Sequence, residues 1–253
     1  MYVSTASELE GMKAIGYAVA HTLKEMVKYA EVGMSTWELD QHGARILEEL
    51  GAKSAPKLTY NFPGWTCISV NGEFCHGIPS KTRILQEGDI INVDVSAELA
   101  GFWADNGSSF VLGKDIHGHQ ALVDASKMIL QKTIARIHGG VKIAEIGGFM
   151  ETEAKRLGYK VIRNLGGHGV GKSLHEQPDE LMNYRQKEDQ RRFRKNTVVA
   201  IETFISTTST LAVEQQDGWT MLGNKGGFMA QHEHTLLITD EKPLLFTEAN
   251  GMF

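Results

Sequence analysis

The chain repeats itself. Residues 33–53 read GMSTWELDQHGARILEELGAK, and residues 140–160 read GVKIAEIGGFMETEAKRLGYK. Laid over each other without a gap, Gly33, Glu38, Leu50, Gly51 and Lys53 fall on Gly140, Glu145, Leu157, Gly158 and Lys160. In both segments apolar residues recur three and four apart and a glycine stands at the C-terminal stop, which predicts a helix in each. A second helical pattern precedes each one, over residues 7–30 and 121–138.

The echo runs on past the helices. His76-Gly77-Ile78 follows the first pair and His168-Gly169-Val170 the second. Next come two strand patterns ending in a carboxylate, IINVD closing on Asp94 and VVAIE closing on Glu202. Then Gly101-Phe102-Trp103-Ala104 leads to Asp105, as Gly227-Phe228-Met229-Ala230 leads to Glu233. One pair of similar helical segments arises easily by chance; ordered features repeating in step do not. They predict an α+β fold built from a duplicated unit, approximately residues 7–113 and 121–240, in a single domain spanning 1–253. The two halves would pool their strands into one curved antiparallel sheet with helices over its outer face. Each half would then deliver a histidine and two carboxylates to a shared middle.

Composition narrows the setting. With 253 residues, 42% of them hydrophobic and 23% charged, the chain can bury a sizeable core. The net charge of −5 and the short basic cluster Arg191, Arg192, Arg194 and Lys195, interrupted by Phe193, argue against a nucleic-acid binder. The two cysteines, Cys67 and Cys75, make no disulfide framework, as expected in a reducing compartment. The polar first residues and the lack of a long apolar run predict a cytoplasmic protein without membrane contact.

Strand alternation puts Asn92, Asp94 and Ser96 on one face and Ile91, Val93 and Val95 on the other. A lone strand aspartate is ordinarily a solvent-facing residue. Asp105, eleven residues on, suits a hairpin in which two carboxylates meet, and two bare carboxylates repel unless a cation lies between them. Glu202 ends an apolar strand, where an unpartnered carboxylate is costly. In Gln231-His232-Glu233-His234 either Glu233 or the two histidines can serve as ligands. The repeat favours Glu233, the counterpart of Asp105, and leaves His232 and His234 on the outer face or behind the ligands. His168 stands among Gly166, Gly167, Gly169 and Gly171, which predicts a sharp turn that lets the imidazole reach inward. Four carboxylates and one imidazole balance two divalent cations, and oxygen-rich donor sets suit cobalt, manganese or iron, with zinc a further candidate. Two ions about 3.5–4 Å apart are a common device for activating water.

These segments resemble the methionine aminopeptidases, in particular their short bacterial type I form. The resemblance lies in Cys67-Ile68-Ser69-Val70-Asn71, Cys75-His76-Gly77-Ile78-Pro79, Asn92-Val93-Asp94, Gly167-His168-Gly169-Val170-Gly171, Leu174-His175-Glu176, Ala200-Ile201-Glu202 and Gln231-His232-Glu233-His234-Thr235, and it covers nearly the whole chain. It implies the pita-bread fold of two pseudo-symmetric halves. By position it assigns Asp94, Asp105, His168, Glu202 and Glu233 as metal ligands, with Asp105 and Glu233 bridging. Glu202 would also move a proton, and His76 and His175 would contact the substrate amide and stabilise the transition state. Phe62, Cys67, Leu174 and Trp219 would line the methionine pocket, although ordinary core packing also explains apolar residues there. A monovalent-cation loop would fall near Asn71, Glu73 and Met229. The substrates implied are N-termini of nascent polypeptides near the ribosome exit, cut when the second residue is small, by an enzyme expected to be a monomer.

The chain departs from that family's common pattern at Pro56, Thr59 and Tyr60, where Cys, Tyr and His are usual, at Thr203, where a proline usually stands, and at Asn106, where a threonine is frequent. A proline-specific peptidase, prolidase or aminopeptidase P, would share all five ligands and is the nearest alternative. A non-catalytic module that binds a partner or RNA is the other.

Overall fold

The computed structural model describes residues 1–252. Two helices open the first half, α1 (Ala6–Tyr29) and α2 (Thr36–Glu49), followed by the short α3 (Ala55–Tyr60). The second half opens with α4 (Gln120–Ile134) and α5 (Ile143–Arg156). The first two helices start at reciprocal caps, Thr5 with Glu8 and Ser35 with Glu38, each satisfying two otherwise unpaired backbone or side-chain groups. The repeat is imperfect here. Glu145 matches Glu38, yet Lys142 stands where Ser35 does and α5 has no side-chain cap. The expected helix over 121–138 stops short, at Ile134, and the chain turns from Ala135 into Gly139-Gly140.

Seven strands form the main path of a nine-stranded central sheet: β1 (Cys67–Val70), β2 (Ile90–Asp94), β3 (Gly107–Val111), β4 (Gly166–Gly169), β5 (Glu176–Met182), β6 (Val198–Ser206) and β7 (Met229–Leu237). Their order is β5-β4-β6-β7-β3-β2-β1, antiparallel throughout. The seam between the halves is β7 against β3, where His232 pairs with Ser108. On either side of it the sequence repeat becomes a spatial one. Strand β2, ending in Asp94, flanks β3, as β6, carrying Glu202, flanks β7.

Each half has its own helix-on-sheet core. Met12, Ile15, Val19 and Leu23 of α1 and Leu39 and Leu47 of α2 pack with Ile91 and Val93 of β2. Ile129 and Leu130 of α4 and Ile146 and Met150 of α5 pack with Val199, Ile201 and Ile205 of β6 and Ala230 and Leu236 of β7. These strand residues are the alternate positions to Asn92, Asp94, Glu202, Gln231 and Glu233, so helix packing dictates that the polar set faces the other side. His232 and His234 share the helix side and are buried; His234 bonds Thr247 Oγ1 at 2.7 Å. No helix among the described residues is long and apolar enough to cross a membrane.

The start of the chain is tied into the loop between β4 and β5. Met1 is buried, its ammonium donates to the Val170 carbonyl at 3.2 Å, and it pairs with Glu176 at 2.7 Å. Burial raises the Glu176 pKa, but the ammonium and the amides of Lys172 and Ser173 outweigh it and hold the carboxyl below its usual range. A group depressed on folding stabilises above its unfolded pKa and loses that contribution as pH falls through the folded one. Glu176→Gln should therefore cost about 1–2 kcal/mol at neutral pH, a partly exposed pair with one buried partner. Denaturant melts should show the gap between variant and parent closing on acidification below the usual carboxylate range.

Candidate metal centre and active site

The five expected ligands arrive from five different places. Asp94 closes β2, Glu202 lies mid-way along β6, and Glu233 sits directly across from it on β7. Asp105 was expected on a strand but occupies the crossover between a short hairpin (Ala97–Leu99 with Phe102–Ala104) and β3. Its backbone is fixed there by Thr235, whose Oγ1 accepts from Asp105 N at 2.9 Å and donates to its carbonyl at 2.7 Å. His168 also differs from expectation: it lies within a strand, not a turn, paired with Ala200. The flanking glycines serve close backbone approach. A Cβ on Gly167 would stand 2.3 Å from the Ala200 carbonyl, and one on Gly169 2.4 Å from that of Gln177.

The geometry suits a cation. Asp105, His168 and Glu233 each offer a donor atom, all within 4.8 Å of one another. His168 Nε2 lies 3.7 Å from Asp105 Oδ2. Its Nδ1 is 3.0 Å from the Gly169 carbonyl; a carbonyl only accepts, so the proton sits on Nδ1 and the Nε2 lone pair is free to coordinate. Asp94 Oδ1 and Glu233 Oε1 are enclosed and receive no hydrogen bond. Burial, and after it the charge of Asp105, pushes Asp94, Glu202 and Glu233 well above the ordinary carboxylate range. Enclosed oxygens that find no protein donor and carboxylates that repel one another fit hard or borderline divalent ions.

Gln231 holds two of the carboxylates and was not singled out in the sequence. Its Nε2 donates to Glu233 Oε2 at 3.0 Å and Glu202 Oε2 at 3.3 Å, and its Oε1 accepts from Asn92 Nδ2 at 2.8 Å. A Cβ at residue 107 would stand 2.3 Å from Gln231 Oε1, so Gly107 makes room for the amide. The available signal was alternation: Gln231 shares a face with Glu233, as Asn92 does with Asp94. The departures at Thr203 and Asn106 lie off the donor set. Thr203 Oγ1 meets Ser126 Oγ at 2.8 Å, tying β6 to α4. Asn106 donates its backbone N–H to Asp105 Oδ1 at 2.9 Å and accepts from Asn250 at 2.8 Å.

All five side chains line one cavity of about 550 Å³, which Phe62, Cys67, Leu174 and Trp219 also line, together with His76 and His175. Phe62 and Trp219 meet edge to face, centroids 5.1 Å apart. Burial, with the Asp94 charge, pushes the Cys67 thiol well up, so it stays protonated and serves as soft apolar wall. His76 takes a left-handed backbone, φ 56°. The His175 ring lies 4.1 Å from that of His168 and bonds Tyr60. Burial, and then the His168 ring, pulls His175 down to about 4, leaving it neutral at pH 7. Of the rim residues, Pro56 and Tyr60 line the cavity while Thr59 is exposed.

A cluster of acidic side chains with one imidazole, closing an apolar cavity in a duplicated pita-bread sheet, defines a metal-dependent hydrolase; the chain belongs to metallopeptidase family M24, whose model matches residues 10–240. Among known proteins it is similar to methionine aminopeptidase 2 of Bacillus subtilis (strain 168), 45% identical over 248 residues, which are 98% of this chain and 100% of that protein. The crystal structure of methionine aminopeptidase from Thermotoga maritima superposes with a TM-score of 0.93 at 34% identity, covering 98% of this chain and 99% of that one. The prolidase from Pyrococcus furiosus shares the fold, with a TM-score of 0.77 at 19% identity over 97% of this chain and 65% of that one.

Two outcomes follow from the site. Chelation of divalent ions should lower the melting temperature, because the buried carboxylates lose their counter-charge; an unchanged melt would count against a resident metal. Gln231→Leu should weaken metal binding roughly 10–100-fold, read by metal titration, since both glutamates lose their orienting donor.

Proposed function

We propose that this enzyme removes the N-terminal methionine from nascent proteins and peptides, preferring a small second residue, with two divalent ions held by Asp94, Asp105, His168, Glu202 and Glu233. The observation that carries this reading is the shared cavity: the acidic cluster, the aromatic and thiol side chains of Phe62, Trp219 and Cys67, and the imidazoles of His76 and His175 line the same space. When bound, the ions supply Lewis acidity to the scissile carbonyl and make water more acidic. Phe62, Cys67, Leu174 and Trp219 hold the thioether side chain. Asp105 and Glu233, one from each half, would help hold the ions, whose positive charge would offset that of the carboxylates.

The remaining work falls to three residues. Neutral His175 donates a hydrogen bond to the developing oxyanion. His76 orients the scissile amide. Glu202 takes the proton from the attacking water and returns it to the departing amine, acting within the constraint that Gln231 places on its carboxylate. The ions are cobalt, manganese, iron or zinc. A monovalent ion near Asn71, Glu73 and Met229 would have to use backbone carbonyls. Asn71 is already bonded to Asp89 and Ile90, and Glu73 to Val70 and Arg83. The expected setting is the cytoplasm, on chains leaving the ribosome, as a monomer.

The test is turnover of Met-Ala-Ser against an X-Pro peptide by protein loaded with manganese or cobalt. Release of methionine from the first, with the second untouched, is expected; cleavage of X-Pro alone would turn the assignment to a proline-specific peptidase. His76→Ala and His175→Ala should keep their metal content and lose kcat by about 100-fold or more. Metal loss in either would refute its assigned role.

A further inference from the structure

Tyr60 is the last residue of α3, at the rim of the cavity, and Asn61 after it takes a left-handed backbone, φ 57°, which ends the helix. The helix is held at its other end. Ser54 Oγ accepts from Lys57 N and donates to the Trp65 carbonyl at 2.7 Å, so α3 is tied at its N-terminus to the segment leading into β1. At the C-terminal end the Tyr60 phenol reaches across to the loop between β4 and β5 and meets His175 Nδ1 at 2.6 Å. It is a short, direct contact between residues 115 apart in the chain.

A neutral imidazole carries one N–H and one lone pair, and whichever atom contacts Nδ1 decides which nitrogen is which. The phenol keeps its proton: burial, and then the charge of Asp105, pushes Tyr60 above its ordinary value. With the phenol donating to Nδ1, Nε2 carries the ring's only proton and is the one nitrogen left for substrate. The opposite arrangement would leave a bare Nε2 lone pair as the ring's only polar group toward a cavity lined by carboxylates, where an oxyanion has to be stabilised.

We propose that Tyr60 is a positioning residue: its O–H donates to His175 Nδ1 and so fixes the imidazole as the Nε2–H tautomer, aimed to donate to the scissile carbonyl oxygen. This rests on the reading of His175 as the oxyanion donor. The relation is that of a buried carboxylate to a catalytic histidine in a triad, with a phenol in the orienting place and the opposite proton direction. It also gives the residue at this rim position a task that neither pocket wall nor core packing would demand.

Tyr60→Phe removes a single oxygen and keeps the ring. On Met-Ala-Ser it should lower kcat roughly tenfold, the kinetic equivalent of one net hydrogen bond, with KM within twofold and metal content unchanged. In the His175→Ala background the same substitution should add no further loss. Independently of turnover, ¹⁵N-histidine NMR of the zinc-loaded protein, a diamagnetic form, should show His175 as Nε2–H in the parent and a mixture of tautomers in Tyr60→Phe. Parent-like kcat in Tyr60→Phe, a defect confined to KM, loss of metal, additivity with His175→Ala, or an Nδ1–H signal in the parent would each overturn the proposal. A parent inactive on Met-Ala-Ser whose His175 tautomer still depends on Tyr60 would instead refute the peptidase reading and leave the contact standing.

Discussion

Mutual repulsion among four enclosed carboxylates is the constraint around which the rest of the molecule is arranged. Asp94, Asp105, Glu202 and Glu233 line one cavity with His76, His168 and His175, and burial, with the charge of Asp105 after it, disfavours the ionised state of Asp94, Glu202 and Glu233. Among the described residues, no lysine or arginine lines that cavity to relieve it. A fold that only needed stability would replace such a cluster with apolar side chains, because a buried charge that is not paired costs more than packing gains. The scaffold must therefore hold the carboxylates together until cations bind, and its rigidity comes from elsewhere. That source is the two helix-on-sheet cores, one behind each half, and the nine-residue register of β6 against β7 that sets Glu202 opposite Glu233.

Hydrogen bonding sets the finer arrangement. Gln231 reaches two carboxylates, Thr235 clamps the backbone of Asp105, and the Gly169 carbonyl selects the tautomer in which His168 Nε2 can coordinate. Three of these partners sit on the same elements as the ligands, so correct strand pairing produces ligand orientation without further adjustment. Thr203, on the opposite face of β6, does the corresponding work toward the helices by joining Ser126 of α4. The outer layer thereby fixes the strand from behind while its inner face carries charge.

Most of this was legible in the sequence where it depended on period. The duplicated helix pairs, the alternation that separates Asp94 from Val93 and Glu233 from His232, and the ordered carboxylates all follow from spacing along one element. What depended on contacts between elements was not. Asp105 was expected on a strand because it followed a strand-like run; the chain changes sheets at that residue, and the competition between two pairing partners cannot be read from the run itself. Glycines around His168 suggested a turn, yet their cause is the approach of the Ala200 and Gln177 carbonyls on neighbouring strands. Gln231 escaped notice, and Tyr60 stood out only as a departure at the pocket rim, because an amide and a phenol become informative only when their partners, far away in the chain, are known.

The two histidines that echo each other show how a duplicated frame acquires distinct roles. His168 belongs to the central sheet, where strand pairing with β6 holds its backbone and a neighbouring carbonyl holds its ring. His76 follows a strand of a separate small sheet, Glu73–Cys75 paired with Met221–Gly223, and leaves it in a left-handed conformation that turns the chain toward Pro79. A residue fixed in the sheet suits a ligand, which must not move when charge is added. A residue at a strand exit, lining the same cavity, suits contact with a substrate that comes and goes. Placement relative to the sheet, more than the identity of the side chain, distinguishes these two imidazoles of one cavity.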